Sequence, residues 1–266
     1  MEIDTGAERL LARIEDGVGW IVFNNPARHN AISMSMQQAL PPVLERFAAS
    51  DDVRAVVLRG AGERAFISGA DISEFGERRT TIEARQEYDA AAEAVGKAFA
   101  AFEKPVVAMI RGICMGGGVL MAIRADIRIA SEQSVFAIPA ARLGVGYGYP
   151  GVAALMDLVG PGQAAEILFT ARRLDAAEAA RIGLINRAVP EDELEPTVAQ
   201  IASQIAENAP LTIRTVKAAI RERLRDPDKR DLDRVRQFAE ACFRSEDYRE
   251  GAQAFLEKRR PEFKGR

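Results

Sequence analysis

Between residues 54 and 130 the chain alternates short apolar runs with helical stretches, and this alternation leaves few folds open. Arg54–Arg59 is a brief apolar run closed by Gly60, Val106–Ile110 follows Lys104-Pro105, and Asp126–Ala130 repeats the pattern. Short apolar runs bounded by turn residues read as buried strands. Between them, Thr81–Phe102 is Ala-rich with helical periodicity, and Gly116-Gly117-Gly118 opens a helix through Ile123. Strands separated by helices pair in parallel, so the pattern predicts an α/β fold. Upstream, Leu11–Glu15 and Gly19–Phe23 flank Asp16-Gly17, a hairpin signature that Asn24-Asn25-Pro26 ends. A helix is expected from Ser35 to Ala49, kinked by Pro41-Pro42. From Gly151 the pattern becomes helical, interrupted by the apolar stretch Gly183–Val189, and four helices follow Glu191, broken near Pro210, Pro227 and Ser245. This change divides the chain into a core over 1–200 and a helical appendage over 201–266.

Composition narrows the function. With 266 residues, 48% of them hydrophobic, the chain can bury a substantial core. Its formal net charge of −3 offers no basic footprint, so nucleic acid is not an expected partner. Two cysteines, Cys114 and Cys242, exclude a disulfide scaffold and suit a reducing compartment. No run of about 18 apolar residues stands out, so no membrane partner is expected. Met1–Leu11 lacks the features of a signal peptide, and a cytoplasmic protein is the resulting expectation. His29 is the one histidine, which excludes a His-pair mechanism and a His-rich metal site.

Two small-residue segments carry the chemistry. Ala65-Phe66-Ile67-Ser68-Gly69-Ala70-Asp71-Ile72 follows the strand ending near Leu58, and Ile110–Gly118 follows the strand at Val106 and opens a helix. Open α/β sheets place ligands at such carboxyl ends. Glycine admits a ligand close to the backbone, and the first N–H groups of a helix lack intrahelical partners. Neither segment matches a Walker loop or the dinucleotide glycine spacing. Either one alone is equally compatible with a tight strand-to-helix turn.

Taken together, the two segments resemble the crotonase (enoyl-CoA hydratase/isomerase) superfamily. The resemblance is carried by Asn25–Ala31, Phe66–Ile72, Gly112–Gly118 with Ala125-Asp126, Phe136–Pro139, Leu143-Gly144, Ala176–Val189 and Phe255–Lys264, in order along nearly the whole chain. It implies an α/β, crotonase/ClpP-like spiral of ββα units with a C-terminal helical oligomerisation region, assembled as a homotrimer or a hexamer of two trimers. It implies an acyl-CoA substrate, with coenzyme A as part of that substrate and no separate cofactor or metal. The thioester carbonyl would sit between the backbone N–H groups of Ala70 and Gly117, which stabilise an enolate. By motif position Arg28, His29, Ala31, Ser68, Asp71 and Ile72 would border the coenzyme A. Gly116, Pro139, Ala140, Arg142 and Leu143 would border the acyl group, and Lys264 would reach the nucleotide end of a neighbouring subunit. Solvated surface charge remains an open reading of Arg28 and Lys264, and a structural role remains open for His29.

The departure from the family pattern matters as much as the match. The two hydratase glutamates of the resemblance fall on Leu120 and Ala140, and the dienoyl isomerase carboxylates fall on Ala140 and Gly148, none of which carries a proton. Tyr147 occupies the place of a tyrosine found in methylmalonyl-CoA decarboxylases of the superfamily, which also carry a histidine where this chain has Ala70. Tyr147 is therefore a candidate hydrogen-bond or proton donor, or simply an aromatic filler. Arg142 can pair with a substrate carboxylate or face a subunit contact. Glu74 is a remote candidate acid, and Cys114 reads as a small buried hydrophobe. Three functions follow: a hydratase/isomerase-type lyase with an unfamiliar acid/base group, a decarboxylase or hydrolase of a carboxy- or oxo-acyl-CoA, and an acyl-CoA binder without turnover.

Overall fold

The computed structural model describes residues 1–71 and 82–266. In chain order the elements are β1 (Glu2–Ile3), β2 (Leu10–Glu15), β3 (Val18–Phe23), α1 (Met34–Ala49), β4 (Ala55–Gly60), β5 (Ala65–Ile67) and α2 (Ile82–Ala101). Then come β6 (Val106–Ile110), β7 (Ile113–Met115), α3 (Gly117–Ala122), β8 (Ile127–Ser131), β9 (Val135–Ala137), α4 (Tyr149–Thr170), β10 (Leu174–Asp175), α5 (Ala176–Arg181) and β11 (Arg187–Val189). The chain closes with α6 (Leu194–Glu207), α7 (Pro210–Leu224), α8 (Leu232–Arg244) and α9 (Glu246–Glu257).

The expected hairpin forms between β2 and β3, with Asp16 and Gly17 both at positive φ, as a two-residue turn with matching twist requires. From β3 onward the larger sheet is parallel, in the order β1-β2-β3-β4-β6-β8-β11. A second sheet runs β10-β9-β7-β5, with β5, β7 and β9 parallel. Each long strand of the first sheet (β4, β6, β8) is thus followed by a short strand of the second (β5, β7, β9), which is the spiral of ββα repeats. The core lies between these layers, around Phe23, Phe47, Phe66 and Phe136, with Phe23 edge-on to Phe66 at 6.2 Å. Each such ring, fully buried, contributes about 1.5–3 kcal/mol.

Helix α1 runs as one element through Pro41 and Pro42, with Leu40, Val43, Leu44 and Phe47 seating it in the core. Thr81, the expected start of the long helix, lies outside the described residues. Helix α4 corrects one expectation: by length and composition alone it is apolar enough to cross a membrane. It is not one straight helix, since Gly160 (φ 76°, ψ 165°) interrupts it just before Pro161. The boundary at residue 200 falls inside α6, whose Leu194, Val198 and Ala202 pack on the outer face of the large sheet beside Trp20, Val57 and Val107.

The helical region is tied to the core through a buried amine. Lys217 on α7 donates to Asp126 Oδ2 and to Lys104 O, both at 2.6 Å, while Asp126 also accepts from Val106 N–H. Burial holds the Lys217 pKa down to about 8 against the opposing pull of Asp126, with Arg221 adding to the depression. The unfolded amine binds a proton up to about pH 10, so a folded amine stripped of its carboxylate partner destabilises the protein most at low pH. Asp126→Asn is expected to cost about 2 kcal/mol near pH 7, less than for a wholly buried pair because Asp126 is partly solvated. Part of that loss returns by about pH 9, as thermal denaturation at the two pH values will show.

Candidate active site at the ends of two parallel strands

The site is built where β5 and β7, neighbours in the small sheet, end side by side. Gly69 (φ 127°) and Gly116 (φ 52°) follow those strands in conformations that side chains disfavour. Each turns the peptide after it. Gly69 O accepts from Ile32 N–H at 2.8 Å, and a trans peptide points its N–H opposite its carbonyl, so Ala70 N–H faces away from Ile32. Gly116 O accepts from Leu120 N–H, so Gly117 N–H points out of the start of α3. Among the described residues neither amide finds an acceptor. A Cβ on Gly117 would stand 3.6 Å from Ala70 N, so glycine keeps the space between the two segments open. Helix α3 spans only Gly117–Ala122, so the free N–H matters here more than a helix dipole.

Backbone contacts fix the two segments. Gly116 N–H donates to Ala137 O at 2.8 Å. A Cβ on Gly118 would lie 2.1 Å from Ile67 O, so α3 is seated directly against β5. On the other side, Asp71 N–H donates to Ile32 O, and Ser68 N–H donates to His29 O. His29 and Asn30 both adopt positive φ. Asn30, fully buried, holds that turn by donating to Ala61 O and Ala65 O and accepting from Asn25 N–H. Asn30 stands in the recognised motif, yet its role as a clamp appears only in three dimensions.

The expected site residues fall into three groups. Arg28, His29, Ala31, Ser68, Ala70 and Asp71 are brought together along one edge. Arg28 there donates to Asp71 Oδ1 at 2.9 Å, so its guanidinium is engaged by a carboxylate buried to 4% exposure, and Ser68 Oγ donates to Arg28 O. His29 borders an open cavity with Pro26, Ala61, Glu63 and Arg64. Gly116, Gly117, Pro139 and Ala140 form the second group, with Pro139 Cδ about 4.0 Å from where a Gly116 Cβ would be. Arg142 and Leu143 are exposed. Lys264 lies apart within one chain, its N–H donating to Asp247 at the start of α9. Ile72 and Glu74 lie outside the described residues.

Tyr147 and Leu120 both face Gly151: a Cβ there would be 3.1 Å from each side chain. Among the described residues the Tyr147 hydroxyl is buried without a hydrogen-bond partner, and burial pushes the phenol pKa well up, against a downward pull from Arg124. The phenol therefore stays protonated and is a donor rather than a base. Arg124 was missed in sequence; the visible signal is a lone charge in the apolar run Val119–Ala125. Cys114 is fully buried, and burial alone pushes its thiol pKa far up.

A family profile described as enoyl-CoA hydratase/isomerase matches residues 13–266. The short-chain-enoyl-CoA hydratase of Clostridium acetobutylicum is 38% identical over 254 residues, covering 95% of this chain and 96% of that one. The crotonyl-CoA hydratase of Syntrophomonas wolfei is 36% identical, covering 96% and 98%. The crystal structure of an enoyl-CoA hydratase/carnithine racemase from Magnetospirillum magneticum superposes with a TM-score of 0.90 at 36% identity, covering 98% and 97%.

An inert Cys114 has a direct consequence. Iodoacetamide at about pH 8, near the ordinary thiol pKa, is expected to leave Cys114 unlabelled in the native protein and to label it once the chain is unfolded. Peptide mass spectrometry reads the outcome; native labelling of Cys114 would contradict its burial.

Proposed function

The chain belongs to the enoyl-CoA hydratase/isomerase family, and from that premise we propose that it stabilises the enolate of an acyl-CoA thioester between the amides of Ala70 and Gly117. The observation that carries this reading is two unengaged N–H groups on adjacent strand ends, with open space between them. As negative charge moves onto a thioester oxygen, fixed donors meet it without reorganising. One such donor is worth about 3–4 kcal/mol in the transition state. Coenzyme A belongs to the substrate in this reading and no separate cofactor is called for. Its carrier chain would lie along Arg28–Ala31 and Ser68–Asp71.

Leu120 and Ala140 bear on which reaction the enolate serves. Neither side chain moves a proton, so abstraction of an α-proton or addition of water would fall to another group. The Tyr147 phenol, protonated and buried, serves as a donor in such a step rather than as its base. The same facts favour a second reading, loss of CO₂ from a carboxylated acyl-CoA: breaking that C–C bond leaves the electron pair on the enolate, so no base is needed to begin. Tyr147 would then donate toward the enolate.

The C-terminal helices carry exposed apolar side chains, among them Val216, Ile220, Leu224, Phe243, Phe255 and Leu256. Such a face supports assembly into a homotrimer or a dimer of trimers, and with it the approach of Lys264 to a neighbouring subunit's coenzyme A.

Gly117→Pro tests the donor pair. Proline is well accepted at the first position of a helix and removes an N–H that finds no acceptor among the described residues; Gly117→Ala, which adds the same Cβ 3.6 Å from Ala70 N but keeps the N–H, is the control for filled space. Turnover of whichever thioester proves active is expected to fall about 100- to 1,000-fold with the melting temperature little changed. Unchanged turnover in folded Gly117→Pro would remove Gly117 from the mechanism. A mass-spectrometric screen of enoyl-, 3-hydroxyacyl-, malonyl-type and 3-oxoacyl-CoA esters identifies the reaction.

A further inference from the structure

Arginines that leave the surface need acceptors, because a buried charge without one is costly. In this protein they have them. Arg128 donates to Leu184 O and Ala125 O, Arg221 to Ala100 O and Phe99 O, Arg59 to Glu195, and Arg54 to Phe263 O. Arg111 pairs with Glu191, Arg172 with Glu166 and Glu178, and Arg214 with Glu103. Arg124 is the exception: it is half-buried, and among the described residues its guanidinium makes no hydrogen bond and no ion pair. The fold nonetheless makes room for it. A Cβ on Gly96 of α2 would lie 2.9 Å from Arg124 Nη1, so the guanidinium rests against the bare backbone of that helix.

The second unmet group stands nearby. Among the described residues Tyr147 Oη is buried with no partner, although a buried tyrosine hydroxyl normally has one. The field of the Arg124 guanidinium acts on this phenol, and burial lowers the guanidinium's own pKa with only Tyr147 opposing. The Tyr147 ring shares the space over Gly151 with Leu120.

Gly117, Leu120 and Arg124 follow one another at spacings of three and four, so they lie along one face of α3 and the turn that ends it. At the helical rise their backbone positions span about 10 Å, a distance a long arginine side chain and a short acyl chain can bridge between them. An acyl chain whose carbonyl rested on the Gly117 amide and which ran past Leu120 would meet a cation and a hydroxyl donor that find no partner among the described residues.

We propose that Arg124 is a specificity-determining residue that receives a second carboxylate on a short acyl-CoA, with the Tyr147 hydroxyl donating a hydrogen bond to the same group. The inference rests on the acyl-CoA reading of the site and narrows it to carboxylated acyl groups. It requires no particular fate for the substrate, so it is tested by binding.

Isothermal titration compares glutaryl-CoA with pentanoyl-CoA and succinyl-CoA with butyryl-CoA, each pair differing by a terminal carboxylate against a methyl group. The protein is expected to bind the carboxylated member of at least one pair roughly 10- to 100-fold more tightly, as a charge-assisted hydrogen-bonded pair warrants. Arg124→Leu reduces the ratio of the two affinities to about one, Arg124→Lys keeps part of it, and Tyr147→Phe lowers it less than Arg124→Leu, since a neutral donor contributes less than a charge. Gly96→Ala, which touches no substrate, lowers the ratio by pushing the guanidinium aside. Should Arg124→Leu fail to fold, Arg124→Lys and Gly96→Ala decide the matter by the same ratio. No preference in either pair, or an unchanged ratio in a folded Arg124→Leu, overturns the role of Arg124 while leaving the acyl-CoA reading intact. Failure to bind any of the four esters or free coenzyme A overturns the acyl-CoA reading itself, and the role of Arg124 with it.

Discussion

The hydrogen bond from Ile32 N–H to Gly69 O, 2.8 Å long, decides where the Ala70 amide points, and the site follows from it. A planar trans peptide leaves no freedom once its carbonyl is held: the N–H must face the other way. Gly116 is held in turn by its own N–H on Ala137 O, which ties the start of α3 to the third strand of the small sheet. These anchors come from successive ββα repeats. Because β5 and β7 are parallel neighbours, their carboxyl ends lie side by side, and each repeat delivers one peptide to the same opening. An amide without a partner costs about 1–3 kcal/mol if water is kept from it. The fold tolerates two because both residues are only half-buried, so solvent reaches the opening when it is empty.

Much of this was legible in the sequence, and the limits have physical causes. The strands β3, β4 and β6 announce themselves because runs of four or more consecutive apolar residues between turn signals have few other uses. The three-residue strands β5, β7 and β9 do not, since a period of two cannot be read from three residues; they lie inside segments that read only as glycine-rich turns. Pro41-Pro42 reads as a kink because proline removes helix hydrogen bonds, but the burial of Leu40, Val43 and Leu44 outweighs that local loss. Gly160, by contrast, does interrupt its helix, and Gly160-Pro161-Gly162 is the turn signal that the apolar run on either side obscures.

For the site, the family resemblance pointed to the amides of Ala70 and Gly117 but not to the relations among side chains. Arg28 reads as a free cation suited to phosphate; in three dimensions Asp71, 43 residues away, engages it. A residue's partners lie far off in sequence, so whether a charge is satisfied is the property least visible in a single chain. Arg124 shows the reverse case: a charge inside an apolar run looks like a surface residue until the surrounding acceptors are found to be missing.

Leu120 and Arg124 are best understood together. The resemblance would put a glutamate at position 120, four residues before Arg124, which is the spacing and the order that favour an ion pair along a helix face. A carboxylate there would have satisfied the guanidinium and cancelled its field. Leucine does neither, and Ala140 brings no compensating charge. With the proposed role of Arg124, the site would combine two amides, a guanidinium and a protonated phenol that find no acceptor among the described residues, all of them donors. A site that offers donors without acceptors is organised for negative charge, whether that charge arrives with the substrate or develops on the thioester oxygen as the reaction proceeds. On this view leucine at position 120 suits the site to anions rather than disabling it.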